Sequence, residues 1–171
     1  MNQRHILCMS AVAALGLALL PGSAISQQKT IKEQLVGTWH NVSIILTRPD
    51  GTKINPFGEK AKGILIFTAD GNSILFNTRS DMAKIASNNR LDVTPQEAQV
   101  AYRGSYAYFG TYTVNEADKS FTINVVGSTF PNEVGNNTKR VVTSITADEL
   151  KFTNAAGAGG GAVEANWRRA R

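Results

Sequence analysis

The stretch Gly63-Ile64-Leu65-Ile66-Phe67-Thr68-Ala69-Asp70-Gly71-Asn72-Ser73-Ile74-Leu75-Phe76-Asn77-Thr78-Arg79 decides the fold. Residues 63–69 form a dense apolar run, the composition of a strand. Asp70-Gly71 is a two-residue hairpin signal, because both positions tolerate the left-handed backbone that such a turn needs. Residues 73–79 then pair back. Upstream, Leu35 to Thr47 reads as the first and longest strand and ends at Pro49-Asp50-Gly51. Thr52 to Asn55 is a short return, and Pro56-Phe57-Gly58 starts a loop. The polar residues 27–34 form a lead-in or one helical turn.

Downstream, residues 81–107 contain few β-branched residues and carry one helix start. Thr94 is the expected N-cap, Pro95 takes the first helical position, and Glu97 closes a capping box three residues past the cap. The helix should run from Pro95 to about Arg103, with Ala98, Ala101 and Tyr102 on one face. Strands resume at Tyr108 to Asn115, and residues 116–119 turn the chain. In Phe121 to Ser128, the residues Phe121, Ile123 and Val125 alternate with Thr122 and Asn124, so one face is buried. Residues 131–137 form a polar loop. Lys139 to Thr146 and Leu150 to Thr153 make a hairpin. Residues 155–161 are a glycine-rich loop, and Ala162 to Arg168 closes the series. Eight or nine antiparallel strands of this kind close into an all-β, up-and-down barrel with one inserted short helix.

The N-terminus has the features of a secretory signal. Arg4 and His5 precede an apolar run from Ile6 to Leu20, which Pro21-Gly22 breaks. Ala24-Ile25-Ser26 presents small residues, so cleavage is expected after Ser26, leaving residues 27–171 as a single domain. The run is shorter than the ~20 apolar residues of a membrane span. No lipobox precedes Cys8. A periplasmic or secreted protein is the expectation, with no membrane span after cleavage. The chain's one cysteine, Cys8, leaves with the signal. The mature domain therefore has neither a disulfide nor a cysteine nucleophile.

The formal charge is +5, but the basic residues are scattered, apart from Arg168, Arg169 and Arg171. A nucleic-acid groove would need a basic stripe with stacking aromatics, so no nucleic-acid partner is expected. No cofactor is expected either. The run Gly157-Ala158-Gly159-Gly160-Gly161-Ala162 matches a dinucleotide fingerprint only formally, because no helix follows it. His40 is the one histidine beyond the signal. A structural zinc site needs several ligands, so no metal is expected. Alternation after Trp39 turns His40 away from the interior. Asp50, Asp70, Asp118, Asp148 and Glu149 all fall in turns, and no catalytic residues are assigned.

All four tyrosines lie in the eleven residues from Tyr102 to Tyr112. Tyrosine offers an apolar face and a hydroxyl, which suits a pocket or an aromatic core. The candidate ligand-binding residues are Tyr102, Tyr106, Tyr108 and Phe109, with Arg79 at a strand end. Ser128, Phe130 and Asn132 join them from the loop at one barrel end.

Several blocks in order resemble a known family. They are Leu35-Val36-Gly37-Thr38-Trp39, Asp50-Gly51 with Pro56-Phe57-Gly58, and Lys62 to Gly71. Tyr106 to Tyr112, Gly127 to Asn132 and Trp167-Arg168 follow. Together they resemble the lipocalin-like domain family of small bacterial and fungal barrels across residues 35–168. Met82 to Leu91 departs from the pattern. The resemblance implies a calycin-type barrel with an internal cavity. It also implies that Trp39 closes the barrel floor beneath a late arginine, either Arg168 or Arg140. Some relatives act as cofactor-free isomerases or cyclases. The expected function is binding of a small hydrophobic molecule, apolar or aromatic. The alternatives are cofactor-free isomerisation or cyclisation, and a structural barrel with a filled core.

Overall fold

A computed structural model describes residues 29–171. The signal, its cleavage point, Cys8 and His5 lie outside the described residues. Helix α1 (Ile31–Leu35) is followed by strands β1 (Gly37–Thr47), β2 (Lys53–Ile54), β3 (Lys62–Phe67) and β4 (Asn72–Thr78). Then come helix α2 (Pro95–Gly104) and strands β5 (Ser105–Asn115), β6 (Ser120–Ser128), β7 (Asn137–Ile145), β8 (Glu149–Gly157) and β9 (Gly161–Arg169). Each strand from β3 to β9 pairs antiparallel with the next. β1 pairs with β3 on one side and with β9 on the other, from Trp39↔Arg169 to Thr47↔Ala162. That pairing closes an eight-stranded barrel, with β2 as an extra two-residue strand on β1. Closure satisfies backbone groups that an open sheet would leave exposed at its edges.

The floor is the end where β1 begins and β9 ends. Thr30 caps α1 through a complete capping box with Glu33. The Glu116 carboxylate accepts the Ile31 and Lys32 N–H groups at 2.9 and 3.0 Å. So anchored, the helix drives Leu35 into the core, and the Leu35 carbonyl accepts the Trp39 indole N–H at 2.9 Å. Above the floor, Phe67 meets Tyr112 and Phe121 edge-on at 5.0 and 5.2 Å, and Phe121 meets Phe152 at 5.2 Å. Edge-to-face contacts of this kind add to the area the rings bury.

Four expectations need correction. The chain is helical over 31–35, because the capping box nucleates a turn, so β1 starts at Gly37 rather than Leu35. The arginine over Trp39 is Arg169, at 4.0 Å from the ring centroid. Arg168 follows the inward Trp167 and so faces solvent, while Arg140 lies further up the barrel over Tyr108 and Phe121. The glycine-rich stretch is mostly strand: Gly157 and Gly161 pair, leaving a three-residue turn at 158–160. The ladder there uses backbone groups alone, so the absence of large side chains does not stop it. Finally, strand and loop share residues 129–137 differently: residues 131–133 form a 3₁₀ turn, and β7 takes Asn137.

Candidate functional site

The connections at residues 48–61, 79–104, 129–136 and 158–160 lie at the end opposite the floor. They form the mouth of a cavity of about 370 Å³ that reaches down to Trp167. Inward residues of β1, β4 and β5 line its walls, among them Ile44, Leu46, Leu75 and Tyr108. Phe57, Tyr102, Phe130 and Gly159 bring in the mouth loops. α2 delivers Tyr102 from its last turn. Its start matches expectation, with Thr94 and Glu97 forming a reciprocal capping box and Pro95 at the first position. Glu97 also accepts the Ala86 N–H at 2.8 Å, which ties residues 81–92 to the helix. That bond, together with those from Thr94, holds the Glu97 carboxyl below its ordinary value.

Two charged side chains are buried in this lining, Glu133 and Arg140. Glu133 comes from the 3₁₀ turn. It accepts a short hydrogen bond from the Tyr106 hydroxyl and another from Ser128 Oγ at 3.3 Å. Arg140 projects inward from β7, and its Nη1 donates to the Thr138 carbonyl and hydroxyl at 3.0 and 2.7 Å. Its guanidinium lies 5.3 Å from the Tyr108 ring centroid. Arg140 takes part in none of the ion pairs formed among the described residues, which are Arg79–Asp81, Lys139–Asp118 and Lys151–Glu149. Among the described residues, the Tyr108 hydroxyl and the Trp167 indole N–H are buried without a partner. Burial pushes the Tyr106 phenol well above its ordinary value, and the bond to Glu133 and its charge push the same way. Burial likewise raises Tyr108, while the Arg140 charge pulls in the opposite direction. The Tyr106 hydroxyl spends its proton on Glu133, whereas the Tyr108 hydroxyl keeps a donor with no partner among the described residues.

The structure brings together Tyr102, Tyr106, Tyr108 and Phe130 of the sequence-expected residues. Ser128 stands just behind them, on Glu133. Phe109 is on the outer face: Tyr108 points in, so its neighbour on the same strand points out, and its ring covers Gly127. Arg79 is held outside the cavity by a bidentate pair with Asp81 at 2.9 and 2.8 Å. Asn132 is exposed, and its carbonyl accepts from Asn136 at 2.9 Å. His40 faces outward and Trp39 inward, as alternation requires. Sequence reasoning missed Glu133, Arg140 and Trp167. Alternation back from Val142 points to Arg140, but the adjacent Val141 blurs which face is apolar.

The family model described as a lipocalin-like domain matches residues 36–169. Among solved structures, a redesigned β-barrel aligns at 13% identity over 85% of this chain and 100% of that one, with a TM-score of 0.44. A redesigned β-barrel bound to DFHBI aligns at 14% identity over 82% of this chain and 100% of that one, with a TM-score of 0.40. A deswapped triple mutant of bovine odorant binding protein aligns at 14% identity over 80% and 74%, with a TM-score of 0.39. No curated protein matches the chain.

Proposed function

The chain belongs to the lipocalin-like domain family, and from that premise we propose that it is a binding barrel that takes a small apolar or aromatic molecule into its interior. The observation that carries this reading is the cavity of about 370 Å³ inside the barrel. A structural barrel with a filled core would not leave such a space, because interiors pack close to crystal density. The volume falls in the ~300–1,000 Å³ range of ligand pockets, which are mostly apolar with a few oriented polar groups. Tyr102, Tyr106, Tyr108 and Phe130 supply the aromatic faces, and Phe57 and Trp167 extend them. Combined with the secretory signal read in residues 1–26, this describes a carrier acting in the periplasm or outside the cell.

The test is native mass spectrometry of the purified protein after incubation with a lipophilic cell extract. Retention of a small molecule that also raises the melting temperature is the expected result. No retained species and no thermal shift would overturn the proposal.

The Tyr106–Glu133 hydrogen bond inside the chamber favours a second reading, cofactor-free isomerisation, with a phenol polarising an oxygen beside a carboxylate. Incubating the retained molecule with fresh protein separates the two. Its recovery unchanged supports carriage, and conversion to an isomer of equal mass supports catalysis.

A further inference from the structure

We infer that the molecule this barrel takes is a monoanion, an apolar or aromatic carboxylic acid whose carboxylate sits on Arg140 and Tyr108. The inference rests on the binding reading above and names the class of ligand. Arg140 is 5% exposed. Only its Nη1 is engaged, by Thr138, and no carboxylate lies within ion-pair distance. A buried cation without a counterion pays a desolvation penalty that its two bonds to Thr138 return only in part. The Tyr108 and Phe121 rings, at 5.3 and 6.0 Å, offset part of it. Nε and Nη2 keep no protein partner among the described residues.

The Tyr108 ring lies under this guanidinium, and its hydroxyl is buried with no partner among the described residues. Buried polar groups are nearly always hydrogen-bonded, so a buried phenol without a partner and a guanidinium with two free arms, both in the lining of one cavity, point to an acceptor there. A carboxylate matches both, because it accepts from a guanidinium edge and a phenol together. Trp167 lines the same chamber, and its indole N–H is buried with no partner among the described residues.

Glu133 does not fill this role. Its carboxylate already accepts from Tyr106 and Ser128 and stays beyond ion-pair distance of Arg140. Its charge shapes selectivity instead. One negative group can settle on Arg140, whereas a second would meet the Glu133 carboxylate in a low-dielectric chamber. A second negative group on the ligand is therefore disfavoured, and neutral analogues leave Arg140 unmatched.

Isothermal titration of the purified full chain with matched probes tests this. The probes are 2-naphthoate and decanoate, each beside its primary amide. The acids should bind at least tenfold more tightly than the amides. In Arg140→Met that preference should disappear, and amide binding in the same variant shows that the barrel is still folded. Tyr108→Phe, which removes a hydroxyl with no protein partner, should fold normally and weaken acid binding several-fold. Equal affinity of acids and amides for the unaltered protein would overturn the anionic assignment and leave the binding reading standing. An undiminished acid preference in Arg140→Met would do the same. Failure of all four probes to bind would overturn both.

Discussion

Arg169→Met should be among the most damaging single substitutions in this barrel. The guanidinium donates from Nε to the Ala147 carbonyl at 2.6 Å, from Nη1 to Val36 at 2.9 Å and from Nη2 to Gln34 at 2.6 Å. It thereby ties the last strand to the β7–β8 turn and to both ends of the α1–β1 junction. It also covers Trp39 at 4.0 Å. A hydrogen bond to a charged group contributes about 1.5–3 kcal/mol when buried. Arg169 is half-buried, so the lower end applies, with a further discount for water that can replace it. The cation–π contact adds about 1 kcal/mol at such a site. Methionine keeps most of the packing but none of the donors, so the expected loss is about 3–4 kcal/mol. With a typical urea slope of about 1–3 kcal/mol per molar, the unfolding midpoint should fall by roughly 1–4 M. The assay is urea denaturation followed by tryptophan fluorescence, since Trp39 reports directly on the floor. Arg169→Lys should recover little, because a single ammonium cannot reach three carbonyls in different directions. A loss below about 1 kcal/mol, or full rescue by lysine, would refute the view that this clamp closes the barrel.

Other perturbations give distinct signatures. Gly110→Ala would place a Cβ 1.9 Å from the Asn124 carbonyl oxygen across the β5–β6 irregularity. Backbone cannot yield as a side chain does, so a loss of about 2–3 kcal/mol is expected, and an unchanged melting temperature would count against the register. Thr94→Ala removes the α2 cap, a local cost of about 1 kcal/mol. Gly104 is the only buried residue of that helix. Amide exchange over 95–104 should therefore accelerate while the global midpoint holds, and a fall in the midpoint would mean that α2 belongs to the cooperative core. The phenols of Tyr106, Tyr108 and Tyr112 are all raised, chiefly by burial. A group whose folded pKa lies above its unfolded value stabilises fully below the unfolded value, about 10 for tyrosine, and loses that contribution as pH rises beyond it. Stability should thus be flat toward neutral pH and fall above about pH 10. Ultraviolet difference absorbance should show these phenols ionising together with unfolding, and ionisation in a still-folded barrel would contradict their burial.

Much of the fold was legible because strand alternation is a local property. The 63–79 hairpin, the burial of Phe121, Ile123 and Val125, and the opposite facing of Trp39 and His40 all follow from a period of two. The α2 capping box was legible because its two hydrogen bonds join residues three apart. The start of β1 differs: Leu35 and Val36 run on into Gly37-Thr38-Trp39 as one apolar stretch, yet Leu35 stands four residues after Ile31 and closes the turn that Thr30 caps. Phe109 was misplaced by treating an aromatic cluster as a unit, when consecutive strand residues must diverge. The site was less legible. Glu133 and Arg140 flank the start of β7 and Trp167 lies two strands on in β9, and the curvature of the closed barrel faces all three onto one chamber.

On the proposed reading, two arginines divide stability from ligand binding in one barrel. Arg140 and Arg169 both lie over aromatic rings, at 5.3 and 4.0 Å. The floor arginine has all three nitrogen arms bound to backbone carbonyls. The chamber arginine has one arm bound, to Thr138. A saturated guanidinium has nothing left to offer a ligand and serves only to hold the chain. An unsaturated one costs stability in the empty barrel and returns that cost when an acceptor arrives. Loss of Arg169 should therefore lower stability whether or not ligand is present. Loss of Arg140 should leave the empty protein about as stable as before, or more so, because a buried charge replaced by an apolar side chain of similar volume is often tolerated. What disappears with Arg140 is the added thermal stability conferred by a bound acid. An empty Arg140→Met barrel that unfolds as readily as Arg169→Met would show that the two arginines share a structural role.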